Sequence, residues 1–209
     1  MTFKTTFQAA GLAGLLSAVA SGAAWAEGFY LKAYGGASAL SDSDITISGL
    51  GTDSGVGFGS GTIAGAAGGY AYGGWPVSAE LEWTYRTGDS DAGATAGGDF
   101  ASTALMLNGV WNLGKTGRLT PYVGAGVGVV TEIDFDVPAG AAAGEYSDTG
   151  IFAFQAFGGV SYAVTDRFSA FGELRYFDAG SVTLAGPGGA TLSADYNTLD
   201  VLAGVSFRF

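Results

Sequence analysis

Eight ionisable side chains lie within apolar, alternating runs, and their spacing decides what chemistry the chain could perform. A strand places alternate residues on opposite faces, so each of these charges falls opposite the apolar side chains. They are Lys32, Glu80, Glu82, Arg86, Glu173, Arg175, Asp200 and Arg208. Enclosed together, four cations and four carboxylates would form a nearly neutral, hydrogen-bonded network. We predict that this network fills an interior; the alternative is that it lines a narrow path for ions or protons.

Other residue types offer little catalytic chemistry. The chain contains no His and no Cys, which removes the commonest general base, the commonest metal ligand and a thiolate nucleophile. Three Asp-x-Asp pairs occur in polar stretches: Asp42 and Asp44, Asp89 and Asp91, and Asp134 and Asp136. Such pairs could hold a divalent cation, but none has the remaining ligand spacing of a calcium loop. We therefore predict no catalytic residues, no metal site, no cofactor and no enzymatic activity.

Composition limits the class of protein. Charged residues make up 13% of the chain and hydrophobic residues 48%, with 38 glycines, whereas a soluble domain is about 25% charged. The formal charge of −11 comes from 19 acidic and 8 basic residues. Nucleic-acid binding needs clustered cations, so we predict no nucleic-acid partner.

The first 26 residues have the pattern of a secretory signal. Lys4 precedes a short apolar run over residues 9–20, and Ala24 and Ala26 place small residues where a signal peptidase reads. Cleavage is expected before Glu27, which predicts a signal peptide at 1–26 and one domain at 27–209. No later stretch is apolar for about 18 residues, so no transmembrane helix is expected after it.

The rest of the chain alternates with a period of two in eight segments. We predict strands at 28–39, 59–72, 77–86, 99–113, 120–133, 150–164, 168–178 and 196–209. Short turns at 73–76, 114–119 and 165–167 alternate with long loops at 40–58, 87–98, 134–149 and 179–195. This asymmetry is typical of transmembrane barrels. Aromatic residues expected at the membrane interfaces are Phe29, Trp75, Trp111, Phe168 and Phe209 toward the turns, and Tyr85, Phe100 and Tyr176 toward the loops.

The last segment indicates closure. Alternate residues from Leu199 to Phe209 are apolar, and only Leu202 interrupts the polar register. An open sheet edge in hydrocarbon would leave N–H and C=O groups unpaired at several kcal/mol each, so this strand should pair with the first. The predicted fold is all-β, an eight-stranded antiparallel up-and-down transmembrane β-barrel. In the fifth strand, inward glycines after Tyr122 should leave room for large side chains from the opposite wall.

These features resemble the small outer-membrane β-barrels represented by the OmpA membrane domain, OmpX and the neisserial opacity proteins. The resemblance rests on the signal, on residues 79–82 (AELE), on 120–128 (TPYVGAGVG) and on 205–209 (VSFRF). It implies the outer membrane of a Gram-negative cell, and it implies that Val205, Phe207 and Phe209 form the signal read by the outer-membrane assembly machinery. No peptidoglycan-binding domain follows, and the His expected of the lipid A deacylase branch is missing, so neither activity is expected.

The expected function follows from this architecture. The protein would be an integral outer-membrane barrel with a filled lumen, which contributes to membrane integrity and displays surface loops. Those loops could act as an adhesin or surface antigen toward an extracellular ligand. Two alternatives stay open at this stage: a narrow porin-like channel for small solutes, and a soluble secreted barrel that binds a ligand.

Overall fold

The computed structural model describes residues 28–40, 43–47, 51–58, 60–91, 98–137, 144–185 and 191–209. The predicted signal peptide and its cleavage residues, Ala24, Ala26 and Glu27, lie outside the described residues. In the described ranges, no helix has the length and hydrophobicity needed to cross a membrane.

Eight long strands form the wall of the fold. They are β1 (Phe29–Leu40), β4 (Ser60–Ala71), β5 (Val77–Asp91), β6 (Gly98–Asn112), β7 (Leu119–Val137), β9 (Ile151–Ala163), β10 (Phe168–Ala185) and β11 (Thr191–Arg208). Three short strands lie beside them at the loop end: β2 (Ser43–Ile47), β3 (Gly51–Phe58) and β8 (Gly144–Asp148). Neighbouring long strands pair antiparallel in chain order.

The first and last strands pair with each other and close the barrel. The ladder between β1 and β11 is continuous from Tyr30 opposite Arg208 to Leu40 opposite Thr198. Closure leaves no edge among the eight long strands. Their backbone N–H and C=O groups are therefore paired within the wall, as a medium that offers no hydrogen bonds requires.

The strands continue beyond the predicted loop boundaries. β5 runs to Asp91, and the β10–β11 ladder reaches Ala185 opposite Thr191. A hydrogen-bond ladder does not require an apolar face, so pairing persists after the lipid-facing alternation has ended. There Ser181 donates to Asp195 at 2.5 Å. The predicted loop starts at residues 87 and 179 are therefore wrong, because polar residues continue the strands there.

The outward face is apolar, as alternation predicts. Leu81, Leu107 and Val201 expose 53%, 59% and 59% of their surface. Trp75 and Trp111 are exposed near the turns.

The prediction that Phe100 lies at the membrane interface was wrong. Phe100 is buried, because it shares the inward register of Ser102 on β6.

Two irregularities change which residues point inward near the loops. On β7 the ladder to β6 shifts beside Thr103, so that Val130 and Ile133 are both buried. On β10 a second shift falls between Asp178 and Ser181 around Gly180, whose φ is +67°. Glycine adopts this left-handed conformation without a Cβ clash. Inward positions therefore change from odd to even numbers after residue 179.

These shifts build an apolar plug inside the loop end, which the sequence did not predict. Its buried members are Phe100, Ala104, Met106, Val130, Ile133, Ala153, Phe177, Ala179, Val182, Leu184 and Tyr196. The interior is thus ionic in its middle and apolar toward the loops.

Inward glycines accommodate neighbours in the same sheet, which corrects the expectation of side chains from the opposite wall. A Cβ on Gly124 would strike the Phe157 ring of the adjacent strand β9. A Cβ on Gly126 would strike the Asn108 side chain of the other adjacent strand, β6. Each of these large side chains occupies the space that a Cβ on the neighbouring glycine would need.

Candidate functional site

The interior charges come from strands on opposite walls. β5 supplies Glu80, Glu82 and Arg86, and β10 supplies Glu173 and Arg175. β5 and β10 are four strands apart around the ring of eight, so they face each other across the lumen. In such a narrow barrel, inward side chains from opposite walls meet in the middle. Alternation places these charges inward, and closure brings them together.

Glu82 is the centre of the network. Its Oε1 accepts a hydrogen bond from Arg175 Nη1 at 2.6 Å and another from the Tyr34 hydroxyl. Its Oε2 accepts from Asn108 Nδ2 at 2.5 Å and from Gln155 Nε2 at 2.7 Å. Four donors therefore surround one carboxylate that is 1% exposed.

Arg175 joins this carboxylate to a second one. Its Nη2 and Nε donate to Glu173 Oε1 at 2.6 and 3.0 Å. The other carboxylate oxygen of Glu173 accepts from the Tyr122 hydroxyl at 2.9 Å. The guanidinium carbon lies 5.2 Å from the ring centres of Tyr34 and Phe157, which adds cation–π attraction. Arg175 is thus held on its edges by carboxylates and near its faces by rings.

A separate ion pair lies closer to the loops. Arg86 donates to Asp200 Oδ2 through Nη2 at 2.8 Å and Nε at 3.2 Å. Ser38 donates to Asp200 Oδ1 at 2.6 Å. The Arg86 guanidinium lies 4.2 Å from the centre of the Phe177 ring, where the apolar plug begins. Both charges are fully buried.

The turn-side end holds the third pair and a cavity. Lys32 Nζ lies 3.2 Å from Glu80 Oε1 and 4.0 Å from Glu173 Oε2. Tyr30 donates to Glu80 Oε1 at 2.6 Å. Below them, a cavity of about 90 Å³ opens toward the turns.

Arg208 lies apart from the other seven charges. It is exposed at the turn-side mouth, where it lines the cavity, whereas the other seven side chains are buried. The buried set therefore contains three cations and four carboxylates, a net charge of −1. The near-neutral balance predicted from the sequence holds only when Arg208 at the mouth is counted.

Sequence reasoning missed the neutral partners of the network. Tyr34, Asn108, Tyr122 and Gln155 are all buried and bonded to the carboxylates. The signal that could have found them is their inward register, most clearly in β9, where Gln155 lies within the apolar run of residues 151–157.

The interior is filled by ionic, polar and apolar side chains. Ion pairs and the apolar plug obstruct it at successive depths. In the part of the chain that the structure describes, no three His, Cys, Asp or Glu side chains are grouped so that they could hold a metal ion.

A closed eight-stranded barrel with an apolar outer face and an ionic interior defines an integral outer-membrane β-barrel protein. The family model for the outer membrane protein beta-barrel domain matches residues 9–209. The chain belongs to that family, and the protein lies in the lipids of the outer membrane of a Gram-negative cell.

Individual relatives agree with this assignment. Outer membrane protein PagN of Salmonella typhimurium is 30% identical over 158 residues, which span 64% of this chain and 66% of PagN. OprG from Pseudomonas aeruginosa has a similar fold, with a TM-score of 0.63 and 17% identity over 88% of this chain and 96% of OprG. Neisserial surface protein A gives a TM-score of 0.58 and 18% identity, over 88% of this chain and 98% of that one.

Proposed function

We propose that this protein is a sealed, non-enzymatic barrel that supports the outer membrane and presents its loop end at the cell surface. The observation that carries the proposal is the obstructed interior, where Glu82 alone receives four donors. A solute crossing the barrel would have to break these bonds and displace the apolar plug. The absence of His and Cys from the chain supports a non-enzymatic role.

Planar-bilayer recording tests the seal. The wild-type barrel should give no stable conductance steps, because ion pairs and the apolar plug of the described strands obstruct its interior at successive depths. The matched variant is Arg86→Ala/Phe177→Ala, which removes two large side chains from one interior layer and should also stay closed, because the Glu82–Arg175 and Lys32–Glu80 pairs still obstruct the others. Reproducible, solute-selective steps from the wild type would instead favour the narrow porin-like channel.

The loop end supports the display part of the proposal. The hairpin of β10 and β11 continues beyond the apolar belt, and Thr183 there exchanges a hydrogen bond of 3.1 Å with Ser193. The predicted loop segments 40–58, 87–98, 134–149 and 179–195 contain ten acidic residues and no Lys or Arg. Such a surface would attract a partner with a basic face. An adhesin or antigen role toward a basic extracellular ligand is therefore part of this proposal.

Thiol labelling tests the orientation. Because the chain has no Cys, single variants give an unambiguous signal. Thr183→Cys at the loop end should react with a membrane-impermeant maleimide in intact cells. Lys115→Cys at a turn should react only after the outer membrane is opened. The reverse pattern would contradict display of the loops.

We further propose that the last strand is read by the assembly machinery. Val205, Phe207 and Phe209 point outward and are 41%, 39% and 37% exposed, so they offer a row of apolar side chains. Phe209→Ser should lower the amount of protein in outer membranes. The control is Phe168→Ser, because Phe168 is similarly exposed and pairs with Phe207 on the neighbouring strand. Equal loss in both variants would refute a role specific to the terminal strand.

The predicted signal peptide supports export and has a direct test. Sequencing the amino terminus of protein isolated from outer membranes should begin at Glu27. Retention of residues 1–26 in that fraction would refute the cleavage prediction.

A further inference from the structure

The cavity at the turn-side mouth has a chemistry of its own. Its wall contains two cations, Lys32 and Arg208, and one carboxylate, Glu80. Hydroxyls of Ser161 and Ser206 also line it. The lining therefore has a net charge of +1 and several neutral hydrogen-bond donors.

The single carboxylate of this wall is already occupied. Glu80 accepts from the Tyr30 hydroxyl at 2.6 Å and from Lys32 at 3.2 and 3.4 Å. An ammonium group has three donors, and the hydrogen bonds of Lys32 all go to this one carboxylate. Its contact with Glu173, at 4.0 Å, is an ion pair beyond hydrogen-bond distance. Lys32, only 9% exposed, therefore keeps donor capacity for a further acceptor.

Arg208 supplies a second donor group at the opening. Its side chain is exposed, and no acidic side chain of the described residues forms an ion pair with it. Its backbone N–H donates to the Arg167 carbonyl at 2.8 Å, which places a second arginine beside it across the ladder. A guanidinium fork suits an oxyanion with two adjacent oxygens.

The charges around the mouth also favour an anionic ligand. Among the side chains that the structure describes, the exposed cations are all at this end of the barrel: Lys115, Arg118, Arg167 and Arg208. Asp166 is the exposed carboxylate described there. The excess of these four cationic side chains over one acidic side chain would raise the local concentration of anions at the opening.

We propose that the turn-side cavity binds a phosphate-class oxyanion from the periplasmic side, held by Arg208 at the rim and Lys32 at the floor. At about 90 Å³, the cavity is much smaller than the roughly 300–1,000 Å³ of pockets for drug-sized ligands. It therefore suits a single phosphate group and not a nucleotide or an oligosaccharide. The group could be free phosphate or the headgroup of an anionic phospholipid.

Phosphate titration of the folded full barrel in neutral maltoside micelles tests the proposal. Calorimetry should show saturable binding of inorganic phosphate, and amide resonances of Ser206 and Ser78 should shift with the same midpoint. Arg208→Gln should weaken the affinity at least tenfold. Lys115→Gln removes an exposed cation from the same end without touching the cavity, and it should change the affinity less than twofold.

A second arm distinguishes the source of the phosphate. If free phosphate gives no saturation, short-chain phosphatidylglycerol is titrated into the same micelles, with phosphatidylcholine as the zwitterionic comparison. The site is assigned to a lipid headgroup if the resonances of Ser206 and Ser78 shift saturably with phosphatidylglycerol alone and if these shifts are lost in Arg208→Gln. No saturable shift with either anion, or equal weakening in Arg208→Gln and Lys115→Gln, overturns the proposal. Neither result bears on the seal, which conductance measures separately.

Discussion

Replacing Glu82 by Leu removes the centre of the interior network. Arg175 would keep Glu173 as its one carboxylate partner, and the hydroxyl of Tyr34 and the amide of Asn108 would lose their acceptor. Removing one partner of a buried ion pair costs about 3–5 kcal/mol. At about 1.4 kcal/mol per factor of ten, the folding equilibrium constant should fall roughly 10²- to 10⁴-fold.

Urea unfolding in lipid vesicles measures this loss. Tryptophan fluorescence and the mobility of unboiled samples on SDS gels report the folded fraction. Glu132→Leu is the matched control, because Glu132 is an exposed carboxylate whose replacement should cost less than about 0.5 kcal/mol. The double variant Glu82→Leu/Arg175→Met should lose at least as much, because buried Glu173 would then keep only the Tyr122 hydroxyl at 2.9 Å and the Lys32 contact at 4.0 Å. A loss below about 1 kcal/mol in Glu82→Leu would refute the argument that this network stabilises the barrel.

Three further predictions concern the wall. Gly126→Ala should destabilise the barrel by about 1–3 kcal/mol in urea unfolding, because its Cβ would strike the Asn108 side chain. The control Gly68→Ala should be neutral or slightly stabilising, because its Cβ would only reach van der Waals contact with Leu31, 3.8 Å away. Leu107→Arg should lower the free energy of unfolding by about 2–4 kcal/mol in the same assay, because Leu107 faces hydrocarbon. An unchanged urea midpoint would show that Leu107 does not face the lipid. A spin label at Val201 should collide with oxygen and be shielded from a water-soluble nickel reagent. The opposite accessibility would show that this face of the strand meets water and not lipid.

The positions of the charges along the sequence already determined their face. Glu80, Glu82 and Arg86 occupy one register of β5, while Leu81 and Trp83 occupy the other. Because a strand alternates its faces, the sequence alone separates an ionic face from an apolar one, and the apolar excess of the chain and its loop asymmetry favour lipid on the apolar side. The same reasoning explains why the class, the strand number and closure could be predicted before the fold was known.

Local irregularities limited the prediction near the loops. Phe100 was expected at the membrane interface, yet it belongs to the apolar plug. The register shift around Gly180 turns Val182 and Leu184 inward. Alternation counted along one strand does not reveal such a shift, because a bulge is defined by pairing with the neighbouring strand.

What the sequence determined is which residues share a face; what the tertiary structure decided is which of them touch. Arg175 meets Glu82 across 93 positions of sequence, and Arg86 meets Asp200 across 114. Those pairings depend on the register of every ladder around the closed ring, which sets the depth of each side chain in the lumen. The same registers place Arg208 at the open mouth and Lys32 at the floor of the cavity, a separation that alternation cannot show because both lie on one inward face.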